Sequence, residues 1–289
     1  MIVRPRRSAL YMPGSNARAL DKARSLPADV LIFDLEDAVA PSAKSVARES
    51  VREATAAGGY GRRELLVRIN GLDSDWGQPD IEAMAAADID GIVIPKVENA
   101  AQIQAVAERL RRAGATGALP LWCMIETPRG VLSVEDIADA SPQVAGLIMG
   151  TSDLSKELNA TPDSTRWPLA TSLGLCLLAA KAYGKIILDG VYLDLDDEPG
   201  FAAQCVQGRA FGFDGKTLIH PKTIDQANAV FGPTADEIAW ARRVIATHAA
   251  AAQAGLGVVV VDGKLIENLH VAAAQRTVQL ATAIAALEH

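Results

Sequence analysis

Pro120-Leu-Trp-Cys-Met-Ile-Glu126 is a short apolar run that ends in a carboxylate, and Val144-Ala-Gly-Leu-Ile-Met-Gly-Thr-Ser-Asp153 repeats that arrangement further along the chain. Short apolar runs of this kind are typical of buried parallel strands. The two runs predict successive strands with acidic side chains at equivalent ends. The alternative is that Asp153 caps a helix over residues 154–158 and that Glu126 only marks a strand leaving the core.

Apolar runs alternate with Ala-rich amphipathic segments along residues 1–231, at a spacing of roughly thirty residues, which is typical of βα units. The predicted strands are Ser8–Met12, Val30–Leu35, Leu65–Ile69, Gly91–Pro95, Leu121–Ile125, Val144–Met149, Ile186–Leu188 and Thr217–Ile219. The pattern predicts a (β/α)8 TIM barrel. A doubly wound open sheet is the alternative, but Pro13-Gly14-Ser15-Asn16 is a single-glycine turn and not a dinucleotide-binding fingerprint.

The alternation stops near residue 231, and the rest of the chain predicts a helical extension. Residues 236–252 and 267–287 are predicted helices, and between them residues 258–261 form a short strand followed by a turn at Asp262-Gly263. The extension, residues 232–289, is too small to predict an independent domain. It is expected to form a lid and subunit contacts.

The composition excludes several classes of partner. The chain has 289 residues, of which 49% are hydrophobic, and a formal net charge of −7, which argues against nucleic-acid and anionic-membrane surfaces. No apolar run is long enough to span a bilayer, and the start lacks the pattern of a signal peptide. A cytoplasmic protein is expected. Cys123, Cys176 and Cys205 are widely separated, so they are predicted to be core residues rather than disulfide partners or zinc ligands.

Polar residues follow nearly every predicted strand, at the end where a TIM barrel builds its active site. They are Asp34, Glu36, Asp37, Arg68, Asn70, Lys96, Glu126, Ser152, Asp153 and His220. Each has a structural alternative: Arg68 could pair with Asp34, Glu36 or Asp37, Lys96 could be solvated, and His220 could be a core histidine. The consistent placement favours a functional site.

Glu126 and Asp153 predict a divalent-metal site, because two carboxylates from adjacent strands suit a hard cation that keeps several waters. Magnesium fits best and manganese would be tolerated, whereas zinc would require His or Cys neighbours. With Arg68 nearby, such a site could hold a carboxylate and stabilise an enolate or alkoxide. This chemistry suits the making or breaking of a carbon–carbon bond next to a carbonyl.

Seven motifs in order along the chain resemble those of the citrate lyase beta-subunit and acyl-CoA lyase family, which are magnesium-dependent TIM barrels. They are Arg7-Ser-Ala-Leu-Tyr-Met-Pro-Gly14, Asp34-Leu-Glu-Asp37, Val67-Arg-Ile-Asn70, Ile94-Pro-Lys96, Ile125-Glu-Thr-Pro128, Gly150-Thr-Ser-Asp-Leu154 and Gly215-Lys-Thr-Leu-Ile-His-Pro221. Any one of them is a weak signal, but together they cover nearly the whole chain. The resemblance therefore supports the predicted fold.

The resemblance also implies roles for individual residues. Glu126 and Asp153 would bind magnesium, and Arg68 would bind substrate oxygens, with Glu126 also near the substrate. Glu36 and Asp37 would lie behind the ligands or hold waters bound to the metal. Related malyl-CoA and citramalyl-CoA lyases take a catalytic acid or base from a C-terminal lid of a neighbouring subunit, and Asp262 looks like its counterpart.

The activity implied by the resemblance is that of a carbon–carbon lyase. It would cleave a citramalyl-, malyl- or citryl-type 3-hydroxy-3-carboxyacyl thioester to a 2-oxo acid and an acetyl thioester, or run the reverse condensation. The alternatives are a metal-dependent aldolase for free 2-oxo acids and the beta subunit of a citrate lyase complex, which acts on citrate bound to an acyl-carrier protein. The resemblance further suggests a homotrimer or homohexamer.

Overall fold

The computed structural model describes residues 3–161, 163–253 and 258–288, and these residues fall into two compact units. The larger unit covers residues 6–228, and the smaller unit combines the described residues before 6 with those from 229 onward. The division lies close to the predicted boundary between residues 231 and 232. The prediction that the smaller unit is not an independent domain stays a prediction.

The larger unit is a closed barrel of parallel strands, which confirms the predicted (β/α)8 fold. The strands are β1 (Ser8–Pro13), β2 (Val30–Asp34), β3 (Glu64–Arg68), β4 (Gly91–Ile94), β5 (Leu121–Ile125), β6 (Val144–Met149), β7 (Ile186–Asp189) and β8 (Gly215–Leu218). They pair in chain order, and β1 closes the barrel by pairing with β8. Each predicted strand is present, with ends that differ from the prediction by two residues at most.

Helices connect the strands, as right-handed crossovers in a parallel barrel require. The α-helices of this part are α1 (Ala17–Lys22), α2 (Lys44–Ala57), α3 (Gly77–Met84), α4 (Ala100–Arg112), α5 (Pro128–Leu132), α6 (Val134–Asp139), α7 (Thr151–Glu157), α8 (Ala170–Ala182), α9 (Glu198–Phe211) and α10 (Ile224–Phe231). Asn99 caps α4, because its side chain accepts a hydrogen bond from Gln102 N and forms a capping box.

Backbone conformation sets the start of two helices. Helix α8 begins only at Ala170, because Arg166 has a left-handed backbone and residues 167–169 form a 3₁₀ turn that contains a proline. Asp153 does not cap a helix, so that alternative is contradicted. It lies in the first turn of α7, whose N-cap is Gly150.

The barrel interior is filled by side chains from alternating strand positions, as the two-residue period of a strand dictates. The buried cluster consists of Ala9, Val30, Ile32, Leu66, Val93, Trp122, Met124, Ile148 and Leu188. The three cysteines are free and buried, which confirms their prediction as core residues. Among the helices of the described residues, none is both long and apolar enough to cross a membrane.

The smaller unit contains α11 (Ala235–Gln253), a hairpin of β9 (Val259–Val261) and β10 (Lys264–Ile266), and α12 (Asn268–Glu288). The two strands are antiparallel, and Asp262-Gly263 forms the two-residue turn with a positive φ at both positions. Buried Val244, Val261 and Ile266 contribute to its core. The sequence predicted the first strand and the turn but not the returning strand.

Candidate active site

Charged residues end the inward-facing columns of the barrel strands. On β3, Arg68 follows Leu66 by two positions, and Glu126 follows Met124 in the same way at the end of β5. Side chains two positions apart on a strand point to the same face. Asp34 ends β2 directly opposite Arg68 in the strand register. The buried core columns therefore continue into a charged layer at the carboxyl end of the barrel.

A cavity of about 350 Å³ opens at this end of the barrel. Charged side chains line it, namely Asp34, Asp37, Arg68, Glu126 and Asp153. Larger, mainly apolar side chains also line it, namely Tyr11, Met124, Met149, Val191, Leu193 and Ile219. The cavity therefore suits a small ligand that carries both anionic oxygens and a hydrocarbon portion.

Arg68 is held in place by a bidentate pair with Asp34. Its Nε lies 2.7 Å from Asp34 Oδ1 and its Nη2 lies 2.6 Å from Asp34 Oδ2, while both side chains are buried. The guanidinium carbon also lies 4.9 Å from the ring centre of Tyr11. Burial opposes the charge, but the hydrogen bonds that the guanidinium donates to Asp34, together with the nearby acids, hold the pKa of Arg68 well above its usual value. Arg68 is therefore a fixed, permanently charged group.

The third nitrogen of Arg68 faces the residues that follow β2. Nη1 lies 2.8 Å from Glu36 Oε2 and 3.4 Å from Asp37 Oδ2. Glu36 Oε2 is buried and, among the described residues, has no partner with hydrogen-bond geometry. Burial raises the pKa of Glu36 to about 7, against the pull of Arg68. Asp37 is exposed. Arg68 thus pairs with Asp34, Glu36 and Asp37, which was the structural alternative for this residue. A substrate role for Arg68 stays a prediction.

Glu126 is a buried carboxylate without a full counter-charge at hydrogen-bond distance in the described chain. Its Oε1 accepts a hydrogen bond of 2.8 Å from Lys96 N, and the residue is 4% exposed. Burial raises the pKa of Glu126 to about 7. The Lys96 N–H and Arg68 lower it, and Asp153 raises it. The two predicted metal ligands are therefore close enough for their charges to interact.

Gly150 makes room for the Glu126 carboxylate. A Cβ at position 150 would overlap the Glu126 Cβ and Oε2 atoms, closer than real Cβ contacts occur. Only glycine at this position, directly after β6, therefore leaves Glu126 in its observed position.

We expect Gly150→Ala to displace the Glu126 carboxylate and to lower turnover by about 10²-fold, since a misplacement of about 1 Å near the reacting groups has that effect. Steady-state kinetics would measure the loss. Gly174→Ala on α8 is the matched control, because a Cβ there meets nothing within 4 Å. Equal turnover in both variants would contradict the role given to Gly150.

Asp153 lies in the first turn of α7, where its carboxylate is partly exposed. Its Oδ2 lies 3.4 Å from Lys96 Nζ. Lys96 is thus not simply solvated, because it contacts Glu126 through its backbone and Asp153 through its ammonium. Partial burial lowers the pKa of Lys96, but the negative charges of Asp153 and Glu126 raise it by more, so the pKa lies above its usual value.

The residues at this site fit a magnesium ion. Among the described residues, no group of three or more His, Cys, Asp or Glu side chains is arranged as a complete metal cage. Magnesium commonly uses one or two carboxylates and keeps waters or substrate oxygens as its other ligands. Glu126 is buried with a raised pKa, and Gly150 clears the space beside it. A cation at Glu126 and Asp153 would supply the missing positive charge.

Two other predicted residues make contacts of their own. His220 is exposed, and its Nδ1 accepts a hydrogen bond of 3.1 Å from Lys222 N, so the structural alternative of a core histidine is contradicted. Asp262 belongs to the smaller unit, where it occupies the hairpin turn and its Oδ2 lies 2.9 Å from Arg243 Nη2.

A buried charge network that was not predicted from the sequence lies behind the cavity lining. Asp189 Oδ1 accepts hydrogen bonds of 2.7 Å from Arg166 Nη1 and 2.8 Å from Gly190 N, and Lys216 Nζ lies 3.3 Å from Asp189 Oδ2. These groups fix the chain directly before the cavity residue Val191. Burial lowers the pKa of Lys216. Lys216 belongs to the motif at residues 215–221. Its side chain points away from the barrel interior, towards Gln204 of α9, and the sequence motif does not show this direction.

The fold and the site define a class of proteins: parallel (β/α)8 barrels that carry acidic and basic side chains around a cavity at the carboxyl ends of the strands. A model of the HpcH/HpaI aldolase/citrate lyase family matches residues 7–221, and the chain belongs to this enzyme family. The family resemblance of the sequence motifs is thereby confirmed.

Similar proteins of known sequence extend over nearly the whole chain. A (3S)-malyl-CoA thioesterase of Cereibacter sphaeroides (strain KD131) is 51% identical over 282 residues, which are 98% of this chain and 96% of the relative. The citrate lyase subunit beta of Escherichia coli (strain K12) is 36% identical over 273 residues, which are 92% of this chain and 89% of the relative.

Solved structures share the fold. CitE from Mycobacterium tuberculosis, in complex with magnesium, acetoacetate and coenzyme A, is 28% identical, with a TM-score of 0.76 over 98% of this chain and 100% of that one. RipC from Yersinia pestis is 34% identical, with a TM-score of 0.69 over 82% of this chain and 100% of that one.

Proposed function

We propose that this chain uses magnesium to act on a malyl-type coenzyme A thioester, which is a 3-hydroxy-3-carboxyacyl thioester. The observation that carries the proposal is the 51% identity to a (3S)-malyl-CoA thioesterase over 98% of the chain. The cavity supports it, because Arg68, Glu126 and Asp153 line it together with the apolar side chains of Met124 and Leu193.

Hydrolysis of the thioester is the first candidate reaction. Water adds to the thioester carbonyl, the carbon–sulfur bond breaks, and a proton from the water reaches the coenzyme A sulfur. The products are the free 3-hydroxy-3-carboxy acid and coenzyme A. The name of the 51% identical relative favours this reaction.

Carbon–carbon cleavage, the activity implied by the sequence motifs, is the second candidate. Loss of the proton from the 3-hydroxyl breaks the bond between C2 and C3, and the enolate carbon of the acetyl thioester then takes up a proton. The products are a 2-oxo acid and an acetyl thioester. The family match and the 36% identity to a citrate lyase beta subunit favour this reaction.

The same residues serve both reactions. Glu126 and Asp153 hold magnesium, which when bound supplies a Lewis acid that polarises substrate oxygens. Manganese is a tolerated substitute. Arg68 binds an anionic substrate oxygen, and Glu36 and Asp37 orient the guanidinium that does so.

Asp262 is the proposed acid or base, contributed by the lid of a neighbouring subunit. We expect Asp262→Asn to slow turnover by about 10²–10⁴-fold while magnesium binding stays intact. Asparagine tolerates the left-handed backbone of this turn, so the hairpin should persist. Turnover and isothermal titration calorimetry would separate the two effects. Asp236→Asn, an exposed change on α11, is the charge-matched control. Normal turnover of Asp262→Asn would place the proton transfer elsewhere.

One assay tests the proposed function. Malyl-CoA and citramalyl-CoA are supplied with magnesium or with EDTA, and free thiol and 2-oxo acid are measured in parallel. Magnesium-dependent thiol release without 2-oxo acid would identify hydrolysis, and 2-oxo acid with acetyl-CoA would identify cleavage. Silence on both thioesters would contradict the proposal and favour an aldolase for free 2-oxo acids or a subunit that acts on a citryl group bound to an acyl-carrier protein.

A homotrimer or homohexamer is the proposed assembly. Exposed apolar side chains support it, since Trp167 is 79%, Leu178 70% and Val206 59% exposed in the single chain. Light scattering coupled to size-exclusion chromatography would measure the mass of the assembly.

A further inference from the structure

Lys96 contacts both proposed magnesium ligands, and it does so through different parts of the residue. Its backbone N–H donates a hydrogen bond of 2.8 Å to Glu126 Oε1, and its Nζ lies 3.4 Å from Asp153 Oδ2. The backbone contact survives any side chain at this position except proline. The ammonium contact depends on lysine itself.

The backbone of Lys96 is fixed in an unfavourable conformation. Its φ is 47°, in the left-handed region that a lysine rarely adopts. Its carbonyl accepts a hydrogen bond from Gln102 Nε2, and the following N–H, of Val97, donates to Met124 O at 3.1 Å. Strained backbone of this kind persists only when the surrounding structure holds it, and it concentrates at functional sites.

The side chain, in contrast, has room to move. It is 53% exposed, and Lys96 lines a second groove of about 830 Å³ together with Trp76 and Glu98. A lysine has four rotatable side-chain bonds and keeps its charge in water at little cost. The ammonium can therefore leave Asp153 without disturbing the backbone hydrogen bond to Glu126.

The Lys96 ammonium and a magnesium ion cannot both bind the Asp153 carboxylate without repelling each other. A divalent ion bound by Glu126 and Asp153 would lie within a few ångströms of the Lys96 ammonium, and like charges at that distance repel even in water. A magnesium ion carries twice the charge of the ammonium. It would also contact the buried Glu126 carboxylate, which the ammonium does not contact directly. Magnesium and the ammonium therefore compete for Asp153.

We propose that Lys96 is an exchangeable counter-charge, whose ammonium pairs with Asp153 in the metal-free enzyme and turns away when magnesium binds. This inference rests on the proposed magnesium site. Because the pair with Asp153 must break first, Lys96 weakens the affinity of the substrate-free enzyme for magnesium. The oxygens of a bound substrate add ligands and restore the affinity, so the metal is held most firmly when the reaction can occur.

The test is calorimetric titration of magnesium into the substrate-free enzyme after removal of metals with EDTA. Lys96→Met removes the charge and keeps the side-chain length, and we expect it to lower the Kd for magnesium by about three- to ten-fold. Lys96→Arg keeps the charge and should bind like the wild type. Lys156→Met is the matched control, because it removes an exposed lysine from α7 one turn after Asp153. It should change the Kd by less than about two-fold.

The outcomes separate this inference from the proposed function. An unchanged or weaker affinity in Lys96→Met would overturn the exchange, because the lysine would then position Asp153 or have no effect. Equal tightening in Lys156→Met would also overturn it, since the effect would be one of net charge. If the wild type binds no magnesium, or binds it equally after Asp153→Asn, the metal site of the proposed function fails. Lys96→Gln repeats the test if Lys96→Met does not fold.

Discussion

Glu126→Gln should abolish most magnesium-dependent turnover while the barrel remains folded. An amide oxygen is a weaker magnesium ligand than a carboxylate, and we expect a loss of at least about 10²–10³-fold, comparable to the removal of one strong transition-state contact. Glutamine can still accept the hydrogen bond from Lys96 N, and it occupies the same space beside Gly150. Turnover and magnesium affinity, measured on the same preparation, would quantify the loss. Asp153→Asn should act in the same direction.

The same change has a predictable effect on stability. Burial raises the pKa of Glu126 to about 7, above the value of 4.5 for an unperturbed glutamate. Between about pH 4.5 and pH 7, Glu126 is protonated in the folded chain and ionised in the unfolded chain. The free energy of unfolding therefore falls as the pH rises through this range. In EDTA above pH 7, Glu126→Gln should consequently raise the melting temperature relative to the wild type.

A second buried glutamate supplies the control for Glu126→Gln. Glu64 is buried at the opposite end of the barrel, where it pairs with Arg6. Glu64→Gln weakens that pair, so it should lower the melting temperature and leave the magnesium response intact. A Glu126→Gln variant with a wild-type magnesium response would remove Glu126 from the metal site.

Arg68→Lys should reduce turnover by about 10²–10³-fold, because an ammonium cannot reproduce a planar guanidinium that binds two oxygens at once. The structure adds a cost in stability. Asp34 would lose one of its two hydrogen bonds from the guanidinium but keep those from Glu36 N and Ala38 N. We expect the free energy of unfolding to fall by about 1–3 kcal/mol. Kinetics and chemical denaturation would measure the two effects.

Arg7 provides a closely matched control for Arg68. It forms the same bidentate pair with Asp29, with Nε–Oδ2 and Nη2–Oδ1 distances of 2.9 Å, and both residues are buried. This pair lies before β1 and β2, at the end of the barrel opposite the cavity. Arg7→Lys should lower stability by a similar amount and leave turnover unchanged. If the two variants lose equal turnover, Arg68 acts only through the stability of the barrel.

The barrel could be predicted from the sequence because each of its signals is local. The run Leu121–Ile125 is apolar over the length of one strand, and Asn99 begins a helix with a side-chain cap that needs only Gln102. Such features depend on residues a few positions apart. The start of α8 at Ala170 is not local in this sense, because the left-handed Arg166 before it bonds to Asp189 and Gln207, which are far away in the sequence.

The order of apolar runs and the polar residues after them determined, by sequence alone, the barrel, the family and the carboxyl-end position of Glu126, Asp153 and Arg68. Strand periodicity and strand direction suffice for that conclusion. Only the tertiary structure decided which charges meet: Arg68 with Asp34, and Lys96 with both Glu126 and Asp153. Those contacts depend on the closure of the barrel and on side-chain burial. Distances across a closed sheet are set by the fold as a whole, so they cannot be derived from the separation of residues along the chain.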